Sequence, residues 1–332
     1  MDGPPVKRQR TDDVEIVRSS EIWHSDGSVV LQAGCTQFRV HWGVLSLHSS
    51  VFRDLQGLPQ PVNEPKIEGC PVIELSDSSE DVETILNALY DPSVSGDRST
   101  GTDHCPRLFF AQENLPLSII ASHIRLGRKY ELKKILPAVT ERLTNDYPFT
   151  LEGYDKLTSS APAYYSYEGY QGSHIDVLTL TRENNLLQLL PCVYYRILLA
   201  FTQTELFDGV QRPDGTHVTL SPGDVPFAFW RAPSCCQANW KSRLGGCAPT
   251  APSCAKTVML ASKSRTQFSQ ELLLEGKIAA FPSISWVLKR SQVCNACKED
   301  ARVEIPKGRR KMWDLLPSFF GLPAWAELKN DL

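Results

Sequence analysis

The sequence predicts an α+β fold: a small β-sheet capped by a cluster of α-helices, followed by a mostly helical, loop-rich second domain. Three observations predict it. Val29, Leu31 and Ala33 alternate before Gly34-Cys35, and Phe38, Val40 and Trp42 alternate after it, the period-two pattern of a half-buried hairpin. The period then changes, because Val44, Leu47, Val51 and Leu55 recur at helical spacing with Leu45 and Phe52 beside them, so one helix stripe is expected to face the hairpin. Further on, Val82, Ile85, Leu86 and Leu89 build a second amphipathic helix.

The remaining elements follow in order. Val72, Ile73 and Leu75 suggest a third strand, framed by Pro71 and by Ser76-Asp77-Ser78-Ser79, which supplies N-cap candidates for the helix after it. Asp91-Pro92 ends that helix, since proline disfavours a helical conformation in the residue before it. Residues 93–105 lack apolar periodicity and read as an exposed loop. Leu117, Ile120, Ala121 and Ile124 form a helix stripe ending near Gly127, and Leu132, Ile135, Leu136, Val139 and Leu143 form the next.

Residues 1–17 read as a disordered basic tail, 18–147 as the first domain, 148–180 as a linker or loop region and 181–332 as a helical, cysteine-containing domain. Beyond the loop at 161–173, Ile175 to Phe201 is expected to be helical, with Leu186, Leu190, Val193 and Ile197 burying one face. Residues 208–267 are rich in Pro, Gly, Ser and Cys and read as loop-heavy. Phe268 to Gly276 and Ile284 to Arg290 are short helical or extended candidates. Met312 to Leu328 carries Trp313, Leu316, Phe319, Phe320, Leu322 and Trp325, punctuated by two prolines into short helices. Such aromatic area either anchors a partner or, the favoured expectation, folds back onto residues 175–200 to close a second core.

Composition excludes several classes. With 35 Lys and Arg against 38 Asp and Glu, net charge is −3, and there is no basic excess for sequence-independent nucleic-acid binding. The most apolar run, Leu186 to Phe201, contains Gln188, Pro191 and Arg196 and reads as a buried helix rather than a membrane span. Residues 1–20 are polar and charged, unlike a secretory signal, so a soluble intracellular protein of the nucleus or cytoplasm is expected. Lys7, Arg8 and Arg10 form a short basic cluster that reads as a nuclear-import signal or as a solvated tail.

Six of the ten cysteines fall between 235 and 297. In an intracellular protein, clustered cysteines suggest metal before disulfides. Cys294 and Cys297 have the C-x2-C spacing that brings two thiolates onto one tetrahedral zinc, and Cys247 and Cys254 are the best second pair, with Cys235 or Cys236 as substitutes. The alternatives are small buried side chains or free thiols, and a thioredoxin-like redox pair at Cys294 and Cys297. No other cofactor is implied. The phosphate-cradling, zinc-protease and serine-hydrolase templates are all missing.

One motif remains. His41, Leu45, Ser49 and Phe52 stand as H-x3-L-x3-S-x2-F, with Asp26 just before the first strand. This constellation resembles the BTB/POZ domain. The phrases DGSVVLQAG, FRVHWGVLSLHSSVFRDL, GCPVIELSDSSEDVETILNALYD and IRLGRKYEL are similar, in that order, to the fungal (basidiomycete-type) branch of the family. The resemblance covers roughly residues 18–147 and extends through WDLLPSFFGLPAWAEL to the second half. It implies a BTB/POZ fold with Asp26, His41, Leu45, Ser49 and Phe52 as motif and dimer-region residues, mainly structural, and His41 hydrogen-bonded within the fold. The animal transcription-factor members usually carry Arg or Lys directly after the motif histidine, where this chain has Trp42. Trp42 then serves as a core residue, which its alternation with Phe38 and Val40 already explains, or as a dimer contact.

The expected function is therefore that of a non-enzymatic protein–protein interaction module. The resemblance implies homodimerisation and recruitment of other proteins, including a cullin for which the chain would be a ubiquitin-ligase substrate adaptor. A nuclear, transcription-associated scaffold is the alternative. A thiol oxidoreductase using Cys294 and Cys297 stands as an outsider.

Overall fold

The computed structural model describes residues 15–58, 65–90, 114–159, 167–224, 281 and 295–331. They divide between two compact units, the first taking residues up to 111 together with 118–139, the second taking 112–117 and everything from 140 onward. The chain is mixed α+β: a curled sheet with helices, followed by a helical region.

The first unit is built on a five-stranded sheet of β1 (Val17–Trp23), β2 (Val29–Ala33), β3 (Thr36–Val40), β4 (Lys66–Ile67) and β5 (Cys70–Leu75), in the order β1-β3-β2-β5-β4. The hairpin is present: β2 and β3 pair antiparallel from Val29 opposite Val40 to Ala33 opposite Thr36, turning at Gly34 with φ 56°. Val29, Leu31, Ala33, Phe38 and Val40 are all buried, as the alternation requires. The third expected strand is β5, parallel to β2. A strand that sequence reasoning missed, β1, pairs parallel with β3 through an irregular register between Arg18 and Trp23.

Val30 is also buried, on the opposite face of the sheet, with Cys70 and Val72, and Trp23 and Ile67 pack against them. The sheet curls over this second small core. Glu68 clasps it, because its carboxylate accepts from Arg18 of β1 at 2.7 Å and from Arg39 of β3 at 2.6 Å.

Helices α1 (Trp42–His48), α2 (Ser50–Gln56), α3 (Ser79–Tyr90), α4 (Leu117–Lys129) and α5 (Ile135–Asp146) complete the cluster, and the division between units falls inside α5. Val82, Ile85 and Leu86 of α3 are buried as expected, and the Ser78 hydroxyl caps the helix by accepting from the Asp81 amide at 3.2 Å. Gly127 of α4 faces Leu136, whose Cβ would lie 3.3 Å from an added methyl, so the glycine allows close approach.

Two expectations for this unit are corrected. The stripe of Val44, Leu47, Val51 and Leu55 does not face the hairpin, because Ser49 is extended (φ −127°, ψ 125°) and splits the segment into two seven-residue helices with a reset phase. Leu45 and Phe52 are buried instead, and Leu47 is 76 % exposed. Trp42 does not extend β3 as a core residue. It opens α1, half-buried, with its backbone amide donating to the Ser28 hydroxyl at 3.0 Å.

The described part of the second unit holds α6 (Leu151–Ser159), α7 (Ser173–Glu183), α8 (Leu190–Ala200), α9 (Gln203–Asp208), a two-stranded hairpin of β6 (Val210–Gln211) and β7 (His217–Val218), and α10 (Asn295–Phe319). Part of the segment expected as linker, 148–180, is thus helical. Around α8, which is buried from Leu190 to Leu198, the core gathers Tyr154, Tyr195, Phe281 and Trp313 in mutual ring contact.

Of the two prolines in the C-terminal segment, Pro317 does not break the helix, which ends at Phe319 before Pro323. A single helix of 25 residues passes through Pro306 and Pro317. Proline at 317 cannot donate to the carbonyl four residues earlier, and the indole N–H of Trp325 donates to that Trp313 carbonyl at 2.7 Å. The helix closes in a Schellman turn: the Leu322 amide donates to Pro317, the Gly321 amide to Ser318, and Gly321 takes φ 68°. The chain then runs back along the second unit, as anticipated, with Phe320 stacked on Tyr194 and Asn330 accepting from the Gln188 amide at 3.0 Å.

Candidate functional site

The motif residues of the first unit are its scaffold. Leu45 is fully buried. Ser49, 2 % exposed, ends α1 by donating its amide to the Leu45 carbonyl and begins α2 by accepting the Phe52 amide on its hydroxyl at 3.0 Å. That hydroxyl donates in turn to the Tyr130 carbonyl at 2.6 Å, tying the α1–α2 corner to the end of α4. Phe52 stacks on the Tyr130 ring at 4.7 Å, and the Tyr130 hydroxyl donates to Asp77. Burial and the Asp77 carboxylate both raise the Tyr130 phenol, which stays protonated.

His41 sits where β3 turns into α1. Its amide donates to the Tyr90 hydroxyl at 2.7 Å, its Nδ1 lies 3.1 Å from the same oxygen, and its Nε2 lies 3.1 Å from the Asp26 carboxylate. The ring of His24 stacks on Tyr90 at 4.5 Å. Asp26 is held below the usual carboxylate range by its own backbone amide and then by His41. Burial pushes the Tyr90 hydroxyl up. Both ring nitrogens of His41 are thus committed to structure, and Asp26 and His41 come together as a pair. None of His24, Tyr90 and Tyr130, the partners that complete these networks, stood out in the sequence: His24 lies two residues before Asp26 but fits no spacing pattern, and Tyr90 and Tyr130 lie far along the chain.

With Leu45, Ser49 and Phe52 turned inward, other apolar residues of the corner turn outward. Leu47 is 76 % exposed and Leu58 58 %, while Val44, Val51 and Leu55 are half-buried. Ile16 and Val17, at the start of β1, are 54 % and 55 % exposed. Charges are sparse along α2, whose Arg53 and Asp54 form an exposed pair at 3.8 Å. The α1–α2 corner thus exposes apolar side chains while its motif residues stay buried.

The second unit carries polar networks of a different kind. Tyr147, Tyr167 and His174 share one cluster, with the Tyr147 hydroxyl 2.6 Å from that of Tyr167 and 2.7 Å from Nδ1 of His174. Burial, then the positive field of Arg196, pushes the His174 imidazole down to about 4. Buried Asp224 accepts from Tyr194, from Ser221 at 2.6 Å and from Arg182. A groove of about 630 Å³ between α6 and α10 is lined by Glu152, Asp155, Lys307, Arg309, Arg310 and Lys311. Its arginines are paired, Arg309 with Asp155 and Arg310 with Glu152.

Of the expected metal ligands, Cys247, Cys254 and Cys294 lie outside the described residues, as do Cys235 and Cys236. Cys297 falls in the first turn of α10, and its side chain is likewise outside the description. Lys7, Arg8 and Arg10 are also outside it. Among the described residues, no group of three or more His, Cys, Asp or Glu side chains is placed to hold a metal ion. No described helix is long and apolar enough to cross a membrane. Cys192 is fully buried, and desolvation pushes its thiol up to about 12, so it is no nucleophile at neutral pH.

Comparison with known proteins agrees with the geometry. Residues 24–104 match the family model of the BTB/POZ domain, a protein–protein interaction module. The matched segment spans Asp26, His41, Leu45, Ser49 and Phe52 and ends before α4. No curated protein matched the chain.

Proposed function

We propose that this chain, whose residues 24–104 form a BTB/POZ domain, is a non-enzymatic docking protein that pairs with a second copy of itself through the α1–α2 corner and offers its second unit to a partner. The observation that carries the reading is the apolar surface of that corner, where Leu47 and Leu58 are 76 % and 58 % exposed while the motif residues between them are buried. Apolar side chains gathered on one exposed segment mark interaction surfaces more often than isolated ones do. The partner class that the family suggests is a cullin scaffold, which makes the protein a substrate adaptor of a ubiquitin ligase.

Light scattering on the full chain, from about 1 to 100 μM, tests self-pairing. The expected result is a mass that rises with concentration in the wild type and stays monomeric in a Leu47→Asp/Leu58→Asp variant with unchanged thermal unfolding. A wild type that stays monomeric throughout refutes pairing. Affinity purification from the protein's own cells tests the adaptor role: stoichiometric cullin supports it, and recovery of the protein alone removes it.

A further inference from the structure

The cluster of His24, Asp26, His41 and Tyr90 shares no residue with the proposed docking face, and while the His41 ring is neutral its hydrogen bonds have one consistent direction. The Asp26 carboxylate has no proton to give, so Nε2 of His41, 3.1 Å away, is the donor. A neutral imidazole then keeps its lone pair on Nδ1, where the Tyr90 O–H donates at 3.1 Å while the Tyr90 oxygen accepts the His41 amide at 2.7 Å. Every group is satisfied while the ring is neutral. A proton added to Nδ1 turns it into a donor facing Tyr90, and the Tyr90 O–H loses its acceptor.

The other groups around His41 come from two further places in the fold. Asp26, in the turn before β2, attracts the imidazolium, but it is 83 % exposed and water weakens that attraction. His24, after β1, lies 5.2 Å from the His41 ring and stacks on Tyr90 with an interplanar angle of 22°. Charge on both imidazoles sets two cations against each other beside the hydroxyl that joins α3 to the sheet. Imidazole changes charge between about pH 5 and 8.

We propose that these four residues form a proton-sensitive clasp that holds the C-terminal end of α3 to the β1–β2 turn and the β3–α1 junction while both imidazoles are neutral, and loosens it as they take up protons. The test is amide hydrogen exchange of residues 85–90 in the full chain at about pH 7.5 and 5.5, corrected for the intrinsic rate. One lost hydrogen bond predicts protection lower by up to about tenfold at the lower pH. In Tyr90→Phe, which keeps the stacked ring without the hydroxyl, protection is already reduced at pH 7.5 and changes little with pH. Wild-type protection that does not change with pH overturns the proposal without recourse to any variant. So does a Tyr90→Phe protein whose protection falls with acid as steeply as the wild type's.

Discussion

Ser49→Ala is the sharpest test of how the motif works. The hydroxyl makes two bonds at once, accepting the Phe52 amide at 3.0 Å and donating to the Tyr130 carbonyl at 2.6 Å, at a residue 2 % exposed. Its removal takes away an N-cap, costing about 1 kcal/mol. It also leaves the Tyr130 carbonyl without this donor in a buried setting, costing about 1–3 kcal/mol more. The cavity left by one oxygen adds little, so the expected loss is about 2–4 kcal/mol out of a typical 5–15. Equilibrium urea unfolding read by hydrogen exchange of residues 45–56 measures it, with an unchanged m-value showing that only stability moved. Ser50→Ala is the control: Ser50 bonds Glu131 at the surface, and about 0.5 kcal/mol or less is expected. A Ser49→Ala protein within 0.5 kcal/mol of wild type refutes the scaffold account and makes the motif serine a candidate partner contact.

The second unit yields two further predictions. Because the folded His174 imidazole is depressed to about 4 from 6.5, the unfolded chain binds the extra proton between those values; the stability it contributes is complete above about pH 6.5 and is lost as pH falls toward 4. The loss is about 3 kcal/mol; His174→Asn is expected to flatten urea midpoints over that window, and an equal slope in both proteins contradicts it. Trp325→Phe keeps the ring that stacks on Trp313 but removes the donor to the carbonyl Pro317 leaves open, costing about 1–3 kcal/mol. Adding Pro317→Ala restores a helical N–H and is expected to recover part of that loss, so a purely additive double mutant would show that the carbonyl is not the link.

Legibility in the sequence followed locality. The hairpin and α3 were readable because their buried residues repeat at a fixed period within one element, and Ser78 lies beside the helix it caps. The α1–α2 phase was misread because a single extended residue, Ser49, resets a period that looks continuous from Val44 to Leu55. β1 was invisible for another reason. Its burial falls on Ser19 and Ile22, which do not alternate, and its pairing is parallel and irregular. α10 was read as broken because proline normally ends a helix, and the compensating indole of Trp325 lies eight residues beyond Pro317. The candidate site followed the same division. The five motif positions were found through the resemblance to the family pattern, whereas Tyr90 and Tyr130 are joined to them only by the fold.

The proposed docking face also limits how strong self-pairing can be. Burying a Leu, Ile or Val side chain fully contributes about 1.5–3 kcal/mol. Leu47, Leu58, Ile16 and Val17 expose 76, 58, 54 and 55 % of their surfaces, so covering all four on both copies recovers roughly 7–15 kcal/mol. Association costs about 4–15 kcal/mol in lost freedom before any side chain is ordered. The two nearly cancel, so apolar contact at these residues alone gives a weak, concentration-dependent pair. A tight complex needs directional bonds as well, and β1 is placed to give some: among the described residues it lies at the sheet edge and pairs only with β3, although its Glu21 and Ile22 amides already donate to the Ser19 hydroxyl. On the proposed reading, a partner that reaches both the α1–α2 corner and the edge of β1 therefore binds more tightly than a second copy that covers the corner alone.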